Sequence, residues 1–396
     1  MTPPTRPQNA ATPAGSALGP GSYAGPLVFE RGFRPFFLLA GLAGVVFIPV
    51  WLLILQGGIE PTLALEPQRW HAHEMAFGFF GAAMAGFLLT AVPNWSGCPP
   101  LRGGTLALLG GFWLLGRLAM GLGGDLPFPA VLAADLLFWA YLLVRIGAQV
   151  RLAVGYHNYP VVLALALMMT AAGSDHLGLP GAEAGLQVLT LLVALIGGRI
   201  VPNFTRNWLQ ARKAEALPVP PGWLDHGSLV LHLVAGLCWV FALPGAGWLL
   251  AATGLAHGVR LTRWQGLATL AEPLLAILHL GYLGVAAGLV GLGLARETAW
   301  IAETDALHGL AIVGLAVMAA AVMTRATLGH SGAQLTAGAL TVALYALILL
   351  GGGLRLAAGL METHWQALIW AAGGAWTLGF ALFLIGYAPL MVRRRQ

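Results

Sequence analysis

Eleven histidines stand in a chain of 396 residues of which only 9% are charged. Imidazole is the usual protein ligand for haem iron and copper. An ionisable side chain in apolar surroundings is costly and by default marks a functional position. His71, His73, His176 and His308 lie at the ends of apolar stretches on one common side, with His364 near them. Four imidazoles at one depth, drawn from three helices, suit haem or metal ligation. His71 and His73 are two residues apart, about 200° around a helix, so they face apart and belong to different sites, or one ligates and the other supports it. The wheel puts His71 with Glu74 and Met75, and His73 with Phe77 and Phe80. Asp305, three residues before His308, shares its face and suits an acceptor that fixes the imidazole's orientation. A second set is Glu272, His279 and Tyr282, seven and then three residues apart on one face, with His257 and His330 nearby. Carboxylate, imidazole and phenol in line suit a proton path or a copper site, with Glu272 and Tyr282 as the candidate catalytic groups. Arg199 and Arg206 flank Pro202-Asn203. They either snorkel to headgroups or pair with haem propionates, for which the guanidinium fork is suited. Cys98 and Cys238 have no metal-type spacing and read as inert thiols.

The elements that must position these groups are membrane helices. A soluble domain carries roughly 25% charged residues; this chain is 58% hydrophobic and could not cover a soluble surface. Its +5 net charge is therefore no nucleic-acid footprint. Apolar segments of about 20 residues, enough to cross a bilayer, are expected near 34–55, 70–92, 104–122, 128–149, 157–175, 182–201, 226–243, 245–262, 272–295, 305–324, 334–358 and 366–390. The fold class is thus an all-α polytopic membrane protein of about twelve spans. Val92-Pro93-Asn94-Trp95 and Val201-Pro202-Asn203-Phe204 read as similar helix stops or as the trace of a repeat. The connection 205–224 divides the chain into two groups of six spans. Residues 1–30, rich in Pro, Gly, Ala and Ser, read as a disordered cytoplasmic tail ahead of a membrane domain over 31–396. With the N-terminus inside, sixteen Lys and Arg fall on one side and three (Arg69, Arg296, Arg355) on the other, with Arg117 inside a span. That bias places both termini in the cytoplasm.

Several runs resemble the NnrS family. They are Arg34-Pro35-Phe36-Phe37, Trp70-His71-Ala72-His73-Glu74-Met75, Ala85-Gly86-Phe87-Leu88-Leu89-Thr90-Ala91-Val92-Pro93-Asn94-Trp95, Gly197-Gly198-Arg199-Ile200-Val201-Pro202-Asn203-Phe204-Thr205-Arg206-Asn207, Leu278-His279-Leu280-Gly281-Tyr282, Leu307-His308-Gly309-Leu310 and Thr324-Arg325-Ala326-Thr327-Leu328-Gly329-His330. The likeness runs from about residue 28 to the end. It implies a bacterial inner-membrane protein that holds b-type haem and copper and acts in nitric oxide metabolism and nitrosative stress defence. The histidines at its motif positions are His71, His73, His176, His257, His279, His308 and His330. His157, His226, His232 and His364 fall outside them. Span two also resembles the haem-bearing second helix of haem-copper oxidases, but the adjacent His-His pair those enzymes use for copper is absent from the sequence.

The leading expectation is redox chemistry on nitric oxide or a related nitrogen oxide, of the nitric oxide reductase type, with electrons from quinol or a membrane partner. A non-enzymatic haem or copper carrier, or a nitric oxide sensor, is the alternative, and a secondary transporter of two six-span groups ranks below both. Nitric oxide is small, neutral and membrane-soluble, so a site within the bilayer needs no polar channel. The orientation is checked with single cysteines in a chain carrying Cys98→Ser and Cys238→Ser. An impermeant maleimide should label Glu60→Cys in intact cells, and Glu215→Cys only after the membrane is ruptured.

Overall fold

The computed structural model describes residues 23–153, 158–298 and 300–394. Among them are twelve long helices and no strand. In chain order they are α1 Phe33–Leu55, α2 Pro67–Ser96, α3 Gly104–Leu122, α4 Phe128–Leu152, α5 Tyr159–His176, α6 Gly181–Ala211, α7 Trp223–Val240, α8 Ala246–Thr262, α9 Pro273–Thr298, α10 Glu303–His330, α11 Ala339–Leu360 and α12 Trp365–Val392. Each overlies an expected segment. Ten regions are long and apolar enough to cross a membrane, and α5 and α8 are the two helices outside that set. Helix α8 is 17 residues long, while α5 ends on Ser174-Asp175-His176, polar residues that lower its hydropathy.

Local chemistry sets the ends. Proline, whose fixed φ suits a first helical turn, starts α2 and α9 and is the second residue of α4 and α5. Gly97 takes the left-handed conformation that closes α2, at φ 71°. The expected stops at Pro93 and Pro202 do not act as stops: α2 runs on to Ser96 and α6 to Ala211. A proline near the end of a long helix removes one backbone bond, and tight packing on both sides holds the rod together. The connection after α6 therefore shrinks from the expected 205–224 to 212–222. Of the expected tail over 1–30, residues 1–22 lie outside the described residues, whereas Leu27–Phe29 form a single helical turn whose Phe29 carbonyl accepts from the Gly103 amide at 2.8 Å.

Helix α2 is the central rod. Of its most apolar stretch, 83% is buried inside the protein, against 28% for α1. The outer helices turn large apolar side chains outward, such as Leu114, Leu115, Leu118 and Leu122 on α3, as helices bordered by lipid do. Two helices depart from α geometry in their middle. Glu74–Phe79 in α2 and Leu310–Ala316 in α10 are π-helical. Such wider turns are frequent at functional sites, and each begins within two residues of a histidine, His73 or His308. At Gly284 α9 meets the π turn of α10: a Cβ there would lie 2.3 Å from the Val313 carbonyl oxygen. Gly284→Ala should therefore destabilise the protein by roughly 1–3 kcal/mol in detergent unfolding. Gly353→Ala, whose Cβ would meet nothing within 4 Å, should leave the unfolding temperature unchanged.

Candidate metal centre

The strongest concentration of buried charge surrounds His73. Its Nδ1 donates to Asp175 Oδ2 at 2.8 Å, and its Nε2 lies 3.1 Å from Asp135 Oδ2. His176 Nε2 approaches the same Asp135 oxygen at 2.9 Å. The other Asp135 oxygen takes a short bond from Arg117, whose second nitrogen donates to Glu74 at 2.9 Å. Arg69 holds Asp175 from the rim at 3.0 Å. His73 and Asp135 are fully buried. The elements converge for simple reasons. Asp135 and Arg117 come from the neighbouring helices α4 and α3, His176 ends α5, and the open turn after His73 sets Glu74 toward Arg117. Glu74, expected on the His71 face, is tied to the His73 cluster through Arg117.

Two features make this cluster chemically incomplete as a set of hydrogen bonds. With Nδ1 donating to Asp175, neutral His73 presents the Nε2 lone pair to a carboxylate oxygen, acceptor against acceptor. Despite the 3.1 Å distance, that nitrogen has no hydrogen-bond partner. The carboxyls of Glu74, Asp135 and Asp175 also outnumber the two guanidiniums of Arg69 and Arg117. With all three ionised, an uncompensated buried charge costs several kcal/mol, and one more positive charge is called for between His73, Asp135 and His176. A proton on His73 or a metal cation supplies it. Both histidine Nε2 atoms and one carboxylate oxygen converge within 4.8 Å of one another. The 2.9 and 3.1 Å separations suit neighbouring ligands of an ion with bonds of about 2.1 Å. Asp175 behind His73 is the carboxylate that typically orients a ligating imidazole. A haem does not fit here, because Asp135 stands where the macrocycle would have to lie.

The other expected residues distribute over separate places. His71 stacks on Trp51 at 4.7 Å and lies nearly parallel to His308 at 6.1 Å between centroids; its Nδ1 is buried without a partner. His308 Nδ1 donates to the Thr304 carbonyl at 2.7 Å. Asp305 holds Arg355 at 2.6 Å, and that guanidinium lies 3.2 Å from His308 Nδ1, whose hydrogen is already given to Thr304, so Asp305 does not orient the imidazole. Glu272, His279 and Tyr282 do not form the expected line. Glu272 precedes α9 and caps it, accepting from the Leu274 amide at 3.3 Å. His279 pairs with Thr205 at 2.9 Å and leaves its Nδ1 unpartnered. Trp264 packs against both His279 and Tyr282, at 6.4 and 4.5 Å between ring centroids. Tyr282 bonds His257 and Arg260. His330 packs on Phe33. Arg199 is exposed, and Arg206 donates to the Pro218 carbonyl. His157 lies outside the described residues, while His226 and His364 make only local contacts.

Asp135 and Asp175 are the members that sequence reasoning missed. Neither is singled out there. Both sit in or at the end of an expected span, where a carboxylate is as costly as an imidazole; that was the available signal. With this geometry in place, the match to a family model covers residues 27–395 and is described as NnrS protein. The chain belongs to the NnrS family. No curated protein matches it. Arg117→Met should leave Glu74 buried without its partner and Asp135 with the two imidazoles alone, and destabilise this NnrS protein by roughly 3–5 kcal/mol. Adding Glu74→Gln should recover part of that loss in the same thermal unfolding experiment.

Proposed function

We propose that this NnrS protein is a metalloprotein of nitric oxide metabolism in the bacterial inner membrane, with a redox metal held by His73, Asp135 and His176. The reading extends to twelve spans, with α5 and α8 crossing alongside the ten apolar regions, and to cytoplasmic termini. The observation that carries it is the unpartnered His73 Nε2 facing a carboxylate and a second imidazole in full burial. Two imidazoles and a carboxylate suit a divalent transition metal, and the family resemblance selects copper. Copper held there would supply one-electron redox chemistry and a coordination position for a small ligand. Asp175 keeps the His73 ring turned inward, Arg117 holds Asp135 ionised and in place, and burial excludes bulk water. Electrons would come from quinol or a membrane partner.

Burial favours this reading over a copper carrier. Passing an ion to another protein needs an accessible ligand, whereas all three side chains here are at most 2% exposed. The b-type haem that the resemblance also implies does not fit the cluster. His71 and His308, parallel and adjacent, are the residues proposed for it, and the reading of the cluster does not depend on it.

Purified protein should carry about one copper per chain. His73→Ala, His176→Ala and Asp135→Asn should each lower that content at least tenfold, while His330→Ala should not. The wild-type spectrum should change on addition of nitric oxide. Copper content that is indifferent to all three substitutions would overturn the site.

A further inference from the structure

The three ligands of the metal centre are not held alike. His73 stands inside α2 with Asp175 on its Nδ1, and Asp135 stands well inside α4 with Arg117 on its other oxygen. His176 is the last residue of α5, and among the described residues its ring is hydrogen-bonded only to Asp135, at 2.9 Å. The last carbonyls of a helix have no partner within it, so a helix end opens more readily than its middle. After His176 the chain runs through Leu177, Gly178, Leu179 and Pro180, all exposed, before α6 begins at Gly181. Gly181 fixes that beginning against α5, since a Cβ there would lie 2.3 Å from the Ala171 carbonyl oxygen. The stretch free to move is therefore the last turn of α5 and the four residues after it.

One side chain from α2 closes this end. Arg69 donates to the carbonyls of Asp175 and Leu179, the latter at 3.3 Å, and to the Asp175 carboxylate at 3.0 Å. Its other terminal nitrogen lies against Gly178, 3.6 Å from where a Cβ would stand. The Arg69 side chain is 36% exposed, whereas Asp175, His73, Asp135 and His176 are at most 3% exposed. Arg69 is thus the cluster member that meets water, and everything behind it is sealed. A planar guanidinium grips several acceptors at once in a fixed fork, which an ammonium does not. Here the fork ties the carbonyls left over at the end of α5 to the first turn of α2.

We propose that the copper ion enters and leaves at this end of α5, on the face opposite the α6–α7 connection, with Arg69 as the latch and His176 as the ligand that swings out to meet the ion. The side follows from the path of the chain, because the α5–α6 turn and the α6–α7 connection lie at opposite ends of α6. When Arg69 lets go, the carbonyls of Asp175 and Leu179 turn to water, the last turn of α5 loosens and the His176 ring leaves Asp135. His73 and Asp135 stay in place and keep two of the three ligand atoms aimed at the gap. The return of His176 seats the ion, and Arg69 closes over it. A site whose side chains are at most 2% exposed is filled in this way after folding, and holds its ion for as long as the latch is shut. The inference rests on the copper reading of the site. With cytoplasmic termini, it means that the copper is supplied from outside the cytoplasm.

The test uses copper-loaded protein in phospholipid vesicles, with tryptic cleavage at Arg212 and Lys213 counting the chains whose α6–α7 connection faces out. Ascorbate keeps the copper reduced, and the impermeant chelator bathocuproine disulfonate is added outside. The share of copper captured should equal the share of chains protected from trypsin. Arg69→Lys, which keeps the charge, and Arg69→Gln should speed capture at least tenfold, with the copper content at loading equal to wild type. Gly284→Ala, which loosens the distant contact of α9 with α10, should leave the rate unchanged. Capture from the trypsin-sensitive chains would overturn the proposal. So would wild-type rates in both Arg69 variants, or equal acceleration by Gly284→Ala, which would make release a matter of general unfolding. Wild-type protein that takes up no copper is recognised before any chelator is added; that result fails the metal reading, and the entry route with it.

Discussion

The fully buried carboxylate of Asp135 is the constraint on which the first half of the chain depends. An ionised group in a low-dielectric interior survives only with charge and hydrogen bonds around it. Arg117 from α3, His73 from α2 and His176 from α5 all come to this one side chain of α4. Four helices are thereby pinned at one depth. Arg117 in turn needs Glu74, and Asp175 needs Arg69, so the cluster recruits its own second ring. The same network that stabilises the bundle leaves one nitrogen facing an acceptor.

The π turns connect this electrostatics to the backbone. A wider turn rotates everything after it relative to an ideal helix. In α2 that turn follows His73, and beyond it the rod packs through Gly78, Gly81 and Gly86 against side chains of Phe47, Trp139 and Phe37. The small residues of this helix are filled by aromatic rings, which is the reason they are small.

Much of the architecture was legible in the sequence because apolar length is a strong signal. The helices overlie the expected segments, and the divergence of His71 from His73 follows from two residues of helical rotation. What escaped was pairing between distant residues. The wheel set Glu74 on the His71 face and gave no sign that Arg117 ties it to the His73 cluster. It also drew Glu272, His279 and Tyr282 as a line, although Glu272 stands before the helix begins and the three side chains find partners on three different elements. Asp135, Asp225 and Arg260 were not singled out, because a single sequence does not say which charges meet. His232, set aside for want of a motif, proved to be bonded on both ring nitrogens.

The central position of α2 bears on how the chain is made. His73 and Glu74 enter the bilayer while their partners are still unsynthesised: Arg117 follows Glu74 by 43 positions, and Asp175 follows His73 by 102. Until α3, α4 and α5 have emerged, this rod carries polar side chains that lipid cannot satisfy. The most deeply enclosed helix of the finished protein is thus among the first to be translated, and its burial waits on helices made after it.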